Sequence, residues 1–252
     1  MSEVATMVTE AKIYYLRQGD PIMVNIQGST VVVTGGQRGL GKAVVAELLE
    51  RGAAKVYATA RAPKDTADPR VVSIPLDVTD ADSVAALADA ASDAQIVINN
   101  AGIIGGHSLL DSDIEEIREV FETNYFGALR VARAFAPILA RNGGGALVDI
   151  HSVLSWVAGF GAYGASKAAF WSATNSLRLE LEKQGTLVTG VHLGYTDTDM
   201  VADVDGPKND PQQVARDILD GVERGDAEVL ADDLTRGVKS ALSGPVEALR
   251  AG

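Results

Sequence analysis

The chain has 252 residues and no cysteine, which excludes a disulfide framework, a thiol nucleophile and a cysteine-held zinc site. Its formal net charge of -12 argues against nucleic acid or an anionic membrane as partner, because phosphate surfaces require a basic face. Hydrophobic residues make up 46% and charged residues 22%, and no apolar run approaches the roughly 18 residues of a membrane span, so a soluble, cytoplasmic protein is expected.

Residues 1–27 carry Glu3, Glu10, Lys12 and Arg17 and lack an apolar signal-peptide core. The stretch KIYYLRQGDPIMVNIQ reads as a hairpin turning at Gly19-Asp20-Pro21 or as a loose arm, an optional extension to a single domain over 28–252.

Val31-Val32-Val33 predicts a short strand, followed at once by Thr34-Gly35-Gly36-Gln37-Arg38-Gly39-Leu40-Gly41 and a helical pattern from Lys42 to Glu50. Glycines let a backbone turn tightly and approach a pyrophosphate, while the following helix N-terminus offers free N–H groups. A flexible turn is the plain alternative. The second strand, Lys55 to Thr59, ends in Ala60-Arg61, where a carboxylate would otherwise bind a ribose 2′-hydroxyl. Arg38 and Arg61 favour a 2′-phosphate instead, each charge-assisted bond contributing about 1.5–3 kcal/mol. NADP(H) is therefore expected over NAD(H).

A third strand runs from Val71 to Leu76 and ends in Asp77-Val78, with Thr79 as the expected cap of a helix reaching about Ala91. Gln95 to Ile98 delivers Asn99-Asn100-Ala101-Gly102 at a strand's carboxyl end, where open α/β sheets bind ligands. Ser112-Asp113-Ile114-Glu115 opens a long amphipathic run to about Asn142, holding Asn124 and a kink expected at Pro137.

After the strand Ala146 to Ile150 come Ser152 and a helix from Ala162 to Gln184. That helix carries Tyr163 and Lys167 four residues apart, hence on one face. The pair alone could equally be a packed tyrosine and a solvated lysine. A sixth strand, Leu187 to Leu193, ends in Gly194-Tyr195-Thr196-Asp197-Thr198, and Asp210-Pro211 caps a further helix. The strand Glu228 to Leu230 and a terminal helix finish the chain. Alternating strands and helices imply a mostly parallel sheet covered on both faces. His107, His151 and His192 are scattered, so no metal site is expected, and Trp156 and Trp171 read as packing residues.

The clusters Thr34-Gly35-x-x-x-Gly39-x-Gly41, Asn99-Asn100-Ala101-Gly102, Asn124 and Ser152…Tyr163-x-x-x-Lys167 jointly resemble the compact branch of the short-chain dehydrogenase/reductase family, over roughly residues 26 to 231. The resemblance implies a Rossmann-type doubly wound domain with a seven-stranded sheet, acting on a small carbonyl or alcohol substrate. It places Gly35, Gln37, Arg38, Gly39, Leu40, Gly41 and Arg61 on the cofactor, Asp77 and Val78 on adenine, and Asn99, Ala101 and Gly102 beside it. Gly194, Thr196 and Thr198 would lie along its nicotinamide end, with Thr198 holding the carboxamide. Tyr163 would be the general acid/base, Ser152 the donor to the substrate oxygen, and Asn124 the holder of a proton-relay water.

Departures are a Leu193-Gly194 pair where Pro-Gly is usual, His151 in place of serine, and a short Ser152–Tyr163 spacing with Ser155 as a second hydroxyl. A glycine-rich tail is absent after Asp232. A homodimer or homotetramer through helices 112–142 and 162–184 is expected, the missing tail favouring the dimer contacts. Substrate preference is assigned to Val153–Ala162, to residues after Gly102 and to Asp199–Asn209.

Tyrosine's ordinary pKa of about 10 is high for base work, and lowering it by three units requires roughly 4 kcal/mol. An ammonium about 4 Å away supplies about that much at an effective dielectric near 20, so Lys167 is expected to tune Tyr163. The reading is an NADP(H)-dependent alcohol dehydrogenase or carbonyl reductase. A sensor or scaffold that binds NADP(H) without turnover is the alternative.

Overall fold

The structure is a computed structural model and describes residues 22–250. The turn expected at Gly19-Asp20-Pro21 lies outside the described residues, while Val24 and Ile26 are already buried in the core.

Among the described residues seven strands form one sheet: β1 (Thr30–Val33), β2 (Lys55–Ala60), β3 (Val71–Pro75), β4 (Ile96–Asn99), β5 (Ala146–Ile150), β6 (Leu187–His192) and β7 (Glu228–Leu230). Their order is β3-β2-β1-β4-β5-β6-β7, and every neighbouring pair is parallel. Helices cover both faces: α1 (Gly39–Glu50), α2 (Ala81–Ala90), α3 (Ile114–Phe121), α4 (Ala128–Arg141), α5 (Gly161–Leu181) and α6 (Pro211–Arg224), with α7 (Asp233–Ala241) following β7.

Strand side chains alternate between faces, and here each face meets a helix layer, which is why the strands read as unbroken apolar runs. Val31, Val33, Ile96, Ile98 and Val148 join Val44, Leu48, Ile218 and Leu219 of α1 and α6. Val32, Val97, Leu147 and Val188 join Leu87, Phe135, Leu139 and Leu181 of α2, α4 and α5. Each such fully buried side chain contributes about 1.5–3 kcal/mol. The chain runs outward from β1 to β3 and then returns to β4 on the other side. That reversal leaves a crevice at the carboxyl ends of β1 and β4.

One expected cap moves by one residue, and a second helix start resolves onto its aspartate. Asp80, not Thr79, accepts from the Asp82 N–H, and Thr79 donates instead to Asp77 Oδ1. Within Ser112-Asp113-Ile114-Glu115 it is Asp113 that accepts from the Glu115 N–H at 2.8 Å. In both pairs the carboxylate, a stronger acceptor than a hydroxyl, takes the orphan donor. The run expected from 112 to 142 is broken at Glu122–Gly127 by a π-helical turn, and α4 continues through Pro137 to Arg141. A Cβ at Gly127 would lie 2.7 Å from Val78 Cγ2, so this turn presses its backbone against the segment that follows β3.

Candidate active site

Thr34, at the end of β1, ties the crevice together. Its hydroxyl accepts from the Asn100 and Ala101 N–H groups, both at 2.9 Å, and Asn100 Nδ2 donates to Thr34 O at 2.8 Å. Gly35 and Gly39 adopt φ of +65° and +49°, in the left-handed region that glycine enters without strain. A Cβ on Gly41 would lie 2.3 Å from Gly35 O, so the helix can meet the loop this closely only with glycine there. The α1 N-terminus has no side-chain cap and no acid in its first turn. Its free N–H groups and positive dipole end suit a pyrophosphate. The residues present therefore fit a dinucleotide.

At the adenosine end Arg38 and Arg61 are both exposed, as a 2′-phosphate contact requires. Hydrogen bonds from Thr79, helped by the charge of Arg61, hold Asp77 below the usual aspartate range. Gln37 was expected on the cofactor, but its side chain is committed elsewhere. Its Nε2 donates to Lys64 O and Ser73 Oγ, each at 2.8 Å, and its Oε1 accepts from Lys64 N–H. Gln37 thus braces the β2–β3 loop and brings Lys64, a cation the sequence reading passed over, beside the glycine loop. Asn99, expected to steady the strand beside the cofactor, bonds to neighbouring elements. It is buried and donates to Ala128 O and Asp149 Oδ1, away from the crevice. The reason is strand parity: Asn99 still belongs to β4 and points into the core, whereas Asn100 has left the strand and reaches the glycine loop.

Ser152 follows β5 and is buried, its Oγ accepting from the Leu154 N–H at 3.1 Å to cap a short turn. Tyr163 and Lys167 lie on α5, and Lys167 Nζ donates to Ile150 O at 2.8 Å. Asn124 sits in the π-turn, 1% exposed, and its amide is fully engaged: Oδ1 accepts from Ile103 N–H at 2.9 Å, and Nδ2 donates to Ile103 O and Ser166 Oγ. Asn124 and Lys167 meet beside Gly102, while Ser152 lies within hydrogen-bond reach of Tyr163, whose ring centre is 6.0 Å from Lys167 Nζ. A Cβ on Gly102 would lie 3.2 Å from Asn124 Oδ1 and 3.7 Å from Lys167 Nζ. Ser155 is buried too, but its hydroxyl has no partner among the described residues.

The electrostatics differ from expectation. Burial pushes the Tyr163 phenol up to about 12, against a lowering hydrogen bond from Ser152 and with a further push from Tyr195. Burial also brings Lys167 down to about 8, with Asp149 opposing. Lys167 Nζ is 6.0 Å from the centre of the Tyr163 ring and is directed at Ile150 O, so the polypeptide alone does not deliver the expected lowering of Tyr163.

The far wall is the segment after β6. Thr198 packs over Gly39, its Cβ 3.3 Å from where a Cβ on Gly39 would lie, so this loop reaches across to the glycine loop. Asp232, which the sequence reading did not single out, bolts the wall in place. It accepts from Gly194 N–H at 2.7 Å, Asn209 Nδ2 at 2.8 Å, and the Thr235 N–H and hydroxyl at 2.7 Å each. Thr196 pairs with Asn209 in an isolated bridge. Trp156 stacks on His192 at 3.9 Å between ring centres, and Ala158 N–H donates to Leu249 O at 2.8 Å. The terminal segment thereby leans on the loop after Ser152. A cavity of about 610 Å³ within the post-β6 loop is bordered by Asp197, Val204, Lys208 and Asp210, not by Ser152 or Tyr163.

A Rossmann-type sheet with this crevice defines a dinucleotide-binding class of protein. Residues 29–209 match the family described as short chain dehydrogenase. A 1-deoxy-11-beta-hydroxypentalenate dehydrogenase from Streptomyces exfoliatus is 36% identical over 202 residues, 73% of this chain and 74% of that protein. A 3-oxoacyl-[acyl-carrier-protein] reductase from Vibrio cholerae is 32% identical over 204 residues, 76% and 82% of the two chains. The crystal structure of a short chain dehydrogenase from Burkholderia cenocepacia in complex with NADP superposes with a TM-score of 0.85 at 37% identity, covering 90% of this chain and 97% of that one. The chain belongs to the short-chain dehydrogenase/reductase family of oxidoreductases. No helix among the described residues is long and apolar enough to cross a membrane.

Proposed function

We propose that this protein is an NADP(H)-dependent carbonyl reductase or alcohol dehydrogenase in which Tyr163 exchanges the proton at the reacting oxygen. The observation that carries this reading is the chain of neighbours Ser152–Tyr163–Lys167–Asn124, the last two beside Gly102, in a fold that also offers an uncapped glycine-loop helix. NADP(H), when bound, supplies the hydride. Arg38 and Arg61, with Lys64 brought alongside by Gln37, supply the cationic surface for its 2′-phosphate. The NADP in the Burkholderia cenocepacia relative agrees with that preference.

Ser152 donates to the carbonyl oxygen, and Tyr163 delivers its proton as negative charge grows there. Protonated at neutral pH, Tyr163 is the acid in the reducing direction, and its phenolate would be the base in the oxidising one. Asn124 clamps the Ile103 backbone and so fixes the floor of the site, and Lys167 fixes the strand end that carries Ser152.

The test is oxidation of NADPH and of NADH against a panel of ketones and aldehydes that includes a 3-oxoacyl thioester, the group named in the Vibrio cholerae relative. Turnover with NADPH exceeding that with NADH by tenfold or more is expected. Tight NADPH binding with no turnover on any member of the panel would establish the sensor or scaffold instead.

A further inference from the structure

His192 closes β6 with its imidazole 0% exposed, and no step of the proposed reaction uses it. Its Nδ1 lies 3.2 Å from Ser152 O. A carbonyl oxygen only accepts, so Nδ1 carries the ring hydrogen and donates it. Burial brings the imidazole down to about 3, which keeps it neutral, and Nε2 is then a bare acceptor with no partner among the described residues. Glu228 Oε1, 3.8 Å from Nε2, is an acceptor too and is taken by Lys239 at 2.7 Å. An apolar side chain at this place would pack without leaving a buried nitrogen unpaired. What the imidazole adds is the bond to Ser152 O.

That bond holds the turn that carries the site's hydroxyl. Ser152 opens the turn Val153–Ser155, within which Leu154 N–H donates to Ser152 Oγ and Ser155 N–H to Ser152 O at 3.0 Å. Both of these bonds move with the turn. Val153 N–H donates to Leu193 O at 2.9 Å, which ties the turn to the end of the sheet. A single tie lets a peptide plane pivot, and His192 adds a second one through the oxygen of the same Ser152–Val153 peptide. The ring is held in its turn. Trp156 ends the Val153–Ser155 turn and lies flat on His192, the two planes 20° apart. Trp171 of α5 meets Trp156 edge-on at 5.7 Å. Lys239 Nζ of α7 stands 4.9 Å from the centre of one indole and 5.4 Å from that of the other.

We infer that His192 is a positioning residue for the reaction: its Nδ1–H fixes the Ser152–Val153 peptide and so aims the Ser152 hydroxyl at the reacting oxygen. This rests on the role given to Ser152 under the proposed function. Trp156 keeps the ring in its plane, and Lys239, clamped by Glu228, closes the stack from α7.

Two variants separate the donor from the bulk. His192→Leu fills the space beside Trp156 but has no N–H, whereas His192→Asn keeps an N–H near the place of Nδ1 and gives up the stacked ring. Both tryptophans of the chain flank this site, so their emission spectrum reports whether the stack stays packed. With the best substrate of the panel, His192→Leu is expected to lower kcat by about tenfold to a hundredfold and to leave the KM for NADPH unchanged. His192→Asn should recover most of that loss. The reverse order, leucine faster than asparagine, would mean that the ring serves only as packing and overturns the inference. In a Ser152→Ala background, His192→Leu should slow the enzyme little further, because its effect passes through Ser152; full multiplication of the two losses overturns the inference. Ser152→Ala at the parent rate would overturn the role given to Ser152 and leave His192 nothing to aim. A slow Ser152→Ala beside an unimpaired His192→Leu overturns the inference about His192 alone. Should the His192 variants not fold, or no member of the panel turn over, the ring ¹⁵N resonances of His192 in the unaltered protein decide: hydrogen on Nδ1 is expected, and hydrogen on Nε2 overturns the inference.

Discussion

The two walls of the crevice are built by different means. The wall at β1 and β4 is made of backbone: glycines at positive φ, an uncapped helix N-terminus, and Thr34 and Asn100 tying loop to loop. The wall at β5, β6 and β7 is made of side chains, many of them ionisable: the buried Asp149, His151, Lys167 and His192, and the half-buried Asp232. The first wall suits a ligand whose phosphates are alike in every member of a family, because backbone N–H groups recognise them whatever the side chains. The second wall must set proton affinities, and only side chains do that.

Removing the proton donor acts on the second wall alone and has the largest expected effect. Tyr163→Phe should lower kcat by about 10²–10⁴-fold with NADPH affinity unchanged, as read by turnover and by fluorescence titration of the cofactor. Gly41→Ala acts on the first wall. The added methyl, 2.3 Å from Gly35 O, should weaken NADPH binding by roughly tenfold to a hundredfold through the 1–3 kcal/mol strain of overpacking, and leave the pKa of Lys167 in place. A variant that loses both would mean that the walls are not independent. Arg38→Ala or Arg61→Ala should reduce the preference for NADPH over NADH by about tenfold each, measured as the ratio of kcat/KM values, with NADH kinetics unchanged.

Asp232→Asn has the smallest effect and a distinctive pH signature. Burial alone would raise Asp232, but the donors from Gly194, Thr235 and Asn209 bring its pKa below the usual aspartate value. A depressed carboxylate stabilises the fold above its unfolded pKa near 4 and loses that stabilisation as pH falls through the folded value. Thermal unfolding should therefore show the variant less stable than the parent by about 1–2 kcal/mol at neutral pH, the gap closing under acid.

Legibility followed the same division. Glycine positions, strand ends and the Tyr163–Lys167 spacing are local requirements, so the seven strands and the glycine loop could be read from the chain. The π-turn at Asn124 could not, because it answers to Val78, a residue from another part of the chain. Gln37 was assigned to the cofactor by position in a motif, yet its amide serves Lys64 and Ser73 across 27 and 36 residues. Asp232 was overlooked because its partner Gly194 lies 38 residues away. The expected tuning of Tyr163 by Lys167 rested on spacing along one helix. It left out the Ile150 carbonyl, which draws the ammonium toward the sheet.

The central claim is that hydride from NADPH reaches a carbonyl carbon while Tyr163 supplies the proton. Its most direct test is NADPH deuterated at the transferring C4 position, with the alcohol product examined by mass spectrometry. The product should carry the deuterium on its carbinol carbon, and Tyr163→Phe should bind the same cofactor yet transfer almost none. Label transfer by Tyr163→Phe at the unaltered rate would contradict it.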